Sequence, residues 1–280
     1  MNCFSYALCN EVLQPWPFEA QCRYAAELGY RGLEVAPFTL DPHPECITMA
    51  QARAWRQTAQ DHGLQITGLH WLLVSPQGLS ITDPNPEVAH RTLSFVRHLC
   101  DLCAEMGGRY MVHGSPKQRQ PVLGQTLTQA LQMATQFFGQ IAPWAQSRGL
   151  HYCIEPLSAD QTSVINTLAQ AIAIIEQVRH PALKTMLDTS SAGLSETSDI
   201  PHLIDTHLPT GHVAHVQLND PNRRAPGQGE MRFGPILQAL RRHRYAGAIA
   251  IEPFDYQPDG PACAAFALGY LSALDPSHTV

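Results

Sequence analysis

The sequence predicts a single (β/α)8 barrel over residues 1–280. Extended apolar segments and helical segments alternate eight times from end to end, and the 280 residues divide into units of about 35. No Gly/Ser linker or charge block separates the units. An open doubly wound sheet is the alternative. It is disfavoured because no G-x-G-x-x-G turn follows the first strand.

The elements follow in order. Residues 2–8 are a first strand, and 18–28 an amphipathic helix ended by Gly29. Residues 32–35 are the second strand. Residues 48–62 are a helix with Thr48 as N-cap and Gly63 past its end. Residues 64–72 are the third strand, and 86–106 a long helix stopped by Gly107 and Gly108. Strand four is 110–113 and its helix 127–148. The second half continues with strands at 151–155, 183–188, 213–218 and 248–252. Its helices fall at 168–178, 200–207, 234–243 and 262–274.

Composition narrows the function classes. The chain is 44% hydrophobic and 15% charged, enough to bury a large core, with a net charge of −6. That balance argues against a general nucleic-acid or anionic-membrane binder. No apolar run approaches the roughly 20 residues of a membrane helix, and residues 1–10 lack the pattern of a secretion signal. Eight scattered cysteines then read as free thiols in a cytoplasmic protein. Cys100-Asp101-Leu102-Cys103 has a redox or zinc spacing, but it lies inside a helix without a second pair and reads as packing.

Functional residues of a parallel barrel gather at the C-terminal ends of its strands. Strands five, six, seven and eight end at or near Glu155, Asp188, Gln217 and Glu252, which are 33, 29 and 35 residues apart. Consecutive strands should bring these side chains together. Carboxylates meeting at a dry barrel mouth repel one another unless a cation neutralises them. Two Glu, one Asp and an amide oxygen suit a hard divalent ion: Mn2+ first, with Mg2+ or Co2+ as alternatives. His215 is the rival fourth ligand, on the same strand face and about 6–7 Å deeper.

These residues resemble the sugar isomerase/epimerase superfamily with the xylose isomerase-like TIM barrel, nearest the D-tagatose/D-psicose 3-epimerase branch. The resemblance runs from Gly32-Leu33-Glu34-Val35-Ala36-Pro37-Phe38 to Ile251-Glu252-Pro253-Phe254. It is carried by Ile154-Glu155-Pro156-Leu157, Leu187-Asp188-Thr189 and the stretch from His215 to Arg223. In that family a Glu, an Asp, a His and a second Glu hold a divalent metal. The acids fall on Glu155, Asp188 and Glu252, and the His falls on Gln217. A second family Glu falls on Gln161, and a substrate-binding His falls on Ser191. Both changes touch the sugar rather than the metal.

The chemistry implied is a carbohydrate isomerase or epimerase acting on a sugar or sugar phosphate. A divalent ion acidifies the C–H beside a chelated carbonyl, and Glu155 and Glu252 act as catalytic acid and base. Arg223 is a substrate contact in the loop after strand seven. His70 and Trp71, ending strand three, would floor a sugar pocket. Glu34, ending strand two, is a further substrate contact or a partner to a neighbouring side chain, and His113, ending strand four, either supports the substrate site or is a core histidine. Lys117 and Arg119 beside Gly114-Ser115 offer a weaker anion site. Rival readings are a metal-dependent lyase on a keto-polyol, isomerisation of a small acid such as hydroxypyruvate, or a non-catalytic sugar-binding barrel. Relatives that cut abasic DNA need a His-rich zinc cluster and a basic face, which are not evident here. Relatives also suggest a homo-oligomer, and no membrane or nucleic-acid partner is expected.

Overall fold

The computed structural model describes residues 4–275. Eight parallel strands close into a barrel in sequence order: β1 (Ser5–Cys9), β2 (Gly32–Val35), β3 (Gln65–Leu69), β4 (Tyr110–His113), β5 (His151–Ile154), β6 (Leu183–Asp188), β7 (Val213–Leu218) and β8 (Ala248–Ile251). Closure comes from β8 pairing with β1, Ile251 opposite Leu8. The expected barrel is therefore the observed one. The part of the first predicted strand at residues 2–3 lies outside the described residues, as does Cys3.

Helices cover the outside. They are α1 (Phe18–Leu28), α2 (Pro37–Leu40), α3 (Met49–Asp61), α4 (Pro86–Glu105), α5 (Leu127–Ser147), α6 (Leu168–Val178), α7 (Thr189–Ser195), α8 (Ile200–His207), α9 (Phe233–Arg242) and α10 (Gly260–Leu274). Thr48 caps α3 as expected, in a reciprocal capping box with Gln51. Two short helices, α2 and α7, fall where the sequence suggested none. Each starts within a residue or two of a strand end and is too short for a 3.6-residue pattern to appear. Cys100 and Cys103 are fully buried in α4, and all seven described cysteines are free thiols. Among the described residues no helix is long and apolar enough to cross a membrane.

Strand parity decides what enters the barrel. Successive side chains of a strand point to opposite faces. Tyr110 faces inward, where its ring stacks on His215 at 4.0 Å. Met111 and His113 therefore face outward toward the helices. By the same alternation Glu34, Asp188, His215 and Gln217 point inward, and Glu155 and Glu252 continue the inward rows of β5 and β8. The predicted third, fifth and eighth strands run past their observed ends. His70, Trp71, Glu155 and Glu252 are thus the first residues of loops, at the mouth.

A 3-10 turn, Asn10–Leu13, follows β1 and is tied down on several sides. Asn10 Nδ2 donates to Gln21 Oε1 at 3.0 Å and to Thr39 Oγ1 at 2.7 Å, while its Oδ1 accepts from Ala36 N at 2.8 Å. The start of α10 packs on the same turn, and a Cβ at Gly260 would fall on the Val12 carbonyl. Gly260→Ala is accordingly expected to lose about 1–3 kcal/mol of stability by overpacking, read as a lowered urea midpoint; an unchanged midpoint would show that α10 is free to shift.

Candidate active site

Glu155, Asp188 and Glu252 come together at the barrel mouth, where Glu155 and Glu252 line a pocket. Each offers an oxygen within 4.8 Å of the others, and all three are buried. The space between the pocket walls is about 400 Å3, open solvent at the mouth included. Seven residues named from the sequence line it: His70, Trp71, Glu155, Gln161, Ser191, Arg223 and Glu252.

The local chain explains each position. Asp188 is the N-cap of α7, its Oδ1 accepting from Ser191 N at 2.7 Å, and its Oδ2 is buried without a hydrogen-bond partner. The Glu155 carboxylate occupies the space a Cβ at Gly114 would take. Arg119, fully buried, donates from Nη1 to the Glu155 carbonyl at 2.8 Å and from Nη2 to the Gly114 carbonyl at 3.1 Å. Asn219 ties the remaining ends together: its Nδ2 donates to the Glu252 carbonyl at 3.1 Å, and its Oδ1 accepts from Ser190 N at 2.8 Å.

The three acids share an electrostatic problem. Burial, then the charges of Glu252 and Asp188, push Glu155 well above the usual carboxylate range, against the pull of Arg119 and His70. Burial raises Asp188 despite the backbone and side-chain hydrogen bonds it accepts. Burial pushes Glu252 up to about 8, opposed by His70 and reinforced by Glu11 and Asp188. Positive charge within the trio would relieve all three. Asp188 Oδ2, Glu252 Oε2 and Gln217 Oε1 are buried oxygens without hydrogen-bond partners. This hard, oxygen-only set fits a hard divalent cation.

Beneath the trio lies a second polar layer centred on Glu34, which is fully buried. Tyr110 Oη donates to Glu34 Oε2 at 2.5 Å, His215 Nε2 sits 2.8 Å from the same oxygen, and Gln217 Nε2 donates to Oε1 at 2.6 Å. Burial alone would raise Glu34, but the charge and hydrogen bond of His215, then His70 and Tyr110, hold it down at about 2.

This layer takes up two of the expected site residues. His215 is not grouped with the acids; one pleat deeper, it is engaged by Glu34 and Tyr110. Glu34 bonds to neighbouring side chains and does not line the pocket, because its carboxylate is spent on the layer below. Gln217 keeps an unpartnered oxygen because Glu34 takes its amide nitrogen.

Further expectations change. His113 faces outward, 5.4 Å from Phe138 between ring centroids, with Nδ1 2.7 Å from Tyr152 Oη. Burial and nearby Arg119 lower it to about 3. It sits as a core histidine away from the pocket, for the parity reason given above. Arg119 turns inward onto carbonyls, so the suggested anion site loses one of its two cations. His70 lines the pocket, but both ring nitrogens are engaged: Nδ1 is 2.9 Å from Glu252 Oε1 and Nε2 is 3.0 Å from Glu11 Oε2. Arg223 pairs with Asp160 at 2.8 Å on the rim. Trp71 and Arg223 both hold left-handed backbone, φ 50° and 68°, a conformation that is uncommon for bulky side chains and concentrates at functional sites. Trp71 meets Phe254 edge to face at 6.0 Å, forming one pocket wall. Glu11 and Asn219 are not singled out by the sequence as parts of the site, and Arg119 is expected there as an anion contact rather than as the anchor of the Glu155 and Gly114 carbonyls. Of the first two, only Asn219 carried a signal, lying two residues beyond Gln217.

Known proteins share this architecture. D-psicose 3-epimerase of Agrobacterium fabrum is 29% identical over 82% of this chain and 76% of its own length. Among solved structures, D-psicose 3-epimerase with D-tagatose from Clostridium cellulolyticum H10 superposes with a TM-score of 0.82 at 18% identity, covering 96% of this chain and 99% of that one. The apo 3-keto-D-glucoside 4-epimerase of E. coli gives 0.83 at 20% identity, covering 97% and 100%. The xylose isomerase-like TIM barrel profile matches residues 22–273, and the chain belongs to that family.

Proposed function

We propose that the protein is a divalent-metal-dependent ketose epimerase that inverts a carbon next to the carbonyl. The observation that carries this reading is the meeting of three buried carboxylates, Glu155, Asp188 and Glu252, two of which line the pocket. The 3-epimerase activity of the Agrobacterium fabrum relative supports the reaction class. Glu155, Asp188 and Glu252 would hold the ion, with Gln217 Oε1 as a neutral fourth donor. A bound divalent cation would polarise the carbonyl of an α-hydroxy ketone and acidify the C–H beside it.

The chain's own groups then move the protons. Glu155 and Glu252 follow β5 and β8, three strands apart around the ring, so they reach the pocket from different sides. One takes the proton from one face of the carbon and the other returns a proton to the opposite face. Asp188, with Oδ1 spent on the α7 cap, serves as ligand only. Trp71 and Phe254 offer an apolar wall to a sugar ring or chain, and Ser191, Gln161 and Arg223 offer hydroxyl partners. Arg119 is buried and Lys117 does not line the pocket, which favours an unphosphorylated ketose over a sugar phosphate.

The direct test is incubation of a ketose panel, D-psicose, D-fructose and D-tagatose among them, with Mn2+ in D2O, followed by NMR. Epimer formation with deuterium entering the inverted carbon is expected; loss of water from the substrate would indicate a lyase instead. Glu155→Gln and Glu252→Gln should each lower kcat by about 10²–10⁴-fold, and exchange undiminished in both would remove these acids from the mechanism.

Metal removal should show in stability as well. Glu252 has a folded pKa of about 8 against an ordinary 4.5. The stability its neutral carboxyl contributes is complete below about pH 4.5 and is lost as pH rises through about 8. With chelator, the melting temperature should therefore fall from about pH 5 to about pH 8, and Mn2+ should raise it more at the upper pH. An increment that does not vary with pH would contradict a cation seated on these acids.

A further inference from the structure

Four side chains, Cys9, Glu11, His70 and Glu252, form a second buried cluster beside the acid trio, and Glu252 belongs to both. A second metal ion is the first idea such a cluster raises, but the ring geometry of His70 is against it. A chelate needs its donors around one point, whereas the two nitrogens of His70 face different carboxylates across the ring: Nδ1 toward Glu252 Oε1 at 2.9 Å and Nε2 toward Glu11 Oε2 at 3.0 Å. This is the geometry of a brace.

We propose that Glu11 and His70 are positioning residues that tie down Glu252 Oε1 and leave Oε2 as the oxygen presented to the pocket. The inference rests on the reading of Glu252 as a proton-transferring carboxylate. Three observations support it. Glu252 Oε2 is buried without a hydrogen-bond partner, while Oε1 is engaged. His70 lines the pocket at 1% exposure with no ring nitrogen left for a ligand. Glu11 stands on the 3-10 turn that Asn10 fastens to α1, α2 and the end of β2. The brace therefore ends on rigid structure. Glu155 has no equivalent: its carboxylate lies against Gly114, and Arg119 grips its carbonyl rather than its side chain. Of the two carboxylates, only Glu252 is aimed by a neighbouring side chain.

The test compares His70→Phe, which removes both contacts, with His70→Asn, whose amide nitrogen can replace Nδ1 as donor to Glu252. Each is assayed as the full chain with Mn2+ on D-psicose and D-fructose in D2O. His70→Phe should lower kcat by about 100-fold, with KM within about twofold of wild type. His70→Asn should regain at least about tenfold of that loss. Because Glu252 serves one face of the carbon, His70→Phe should also depress exchange of one epimer more than the other. A KM that rises in step would make His70 a substrate contact. An Asn variant no better than Phe, or equal loss of exchange in both epimers, would overturn the brace.

Should His70→Phe fail to fold, Glu11→Ala supplies the same comparison from the far end of the brace, with the same kcat and KM outcomes. Absence of exchange by wild type on either sugar would be a failure of the epimerase reading, not of this one. Crystal structures of the variants would then decide: Glu252 keeping its seat in His70→Asn and losing it in His70→Phe upholds the brace, and an unmoved Glu252 in both overturns it.

Discussion

Three like charges share one small, buried space, and most of the surrounding structure is arranged around that constraint. Neutral water-excluding walls raise the cost of ionising each acid. The protein answers with fixed groups at every remaining edge. Asp188 is tied by a helix cap, Glu155 is gripped through its backbone by a buried guanidinium, and Glu252 is held by an imidazole. None of these groups enters the middle of the trio. A positive charge at that middle would relieve all three acids at once.

The two polar layers divide the work. In the lower layer the Glu34 carboxylate has partners on both oxygens, from Tyr110, His215 and Gln217, while His215 Nδ1 is buried without a hydrogen-bond partner. The upper layer is open, with unpartnered oxygens on Asp188, Glu252 and Gln217. Gln217 joins the two, since satisfying the layer below fixes which end of its amide remains for the layer above.

Much of this was legible in the sequence. Strand-end acids recurring at barrel-unit spacing placed Glu155, Asp188 and Glu252 together, because in a closed parallel barrel the distance along the chain maps onto position around the ring. Local signals also held, as at Thr48, where the cap and Gln51 sit within one turn. What failed needed parity or long-range geometry. His113 ends a strand as Asp188 does, but the inward set of β4 begins at Tyr110, and one residue of phase reverses the face. Arg119 reads as a loop cation until the fold carries it under β5. Glu11 lies 59 residues from the histidine it holds, so no local pattern links them. The short helices were missed because one or two turns give too few repeats for a period to show.

The contact between Gly114 and the Glu155 carboxylate has a consequence for how this pocket can diversify. With an acid already resting where a side chain would begin, that flank admits no variation in size without displacing Glu155. Trp71 and Phe254 on the facing flank carry no such obligation. Substrate range can therefore drift through one wall of the pocket while the other stays invariant, an asymmetry that would steer any attempt to redirect the enzyme toward larger or smaller substrates.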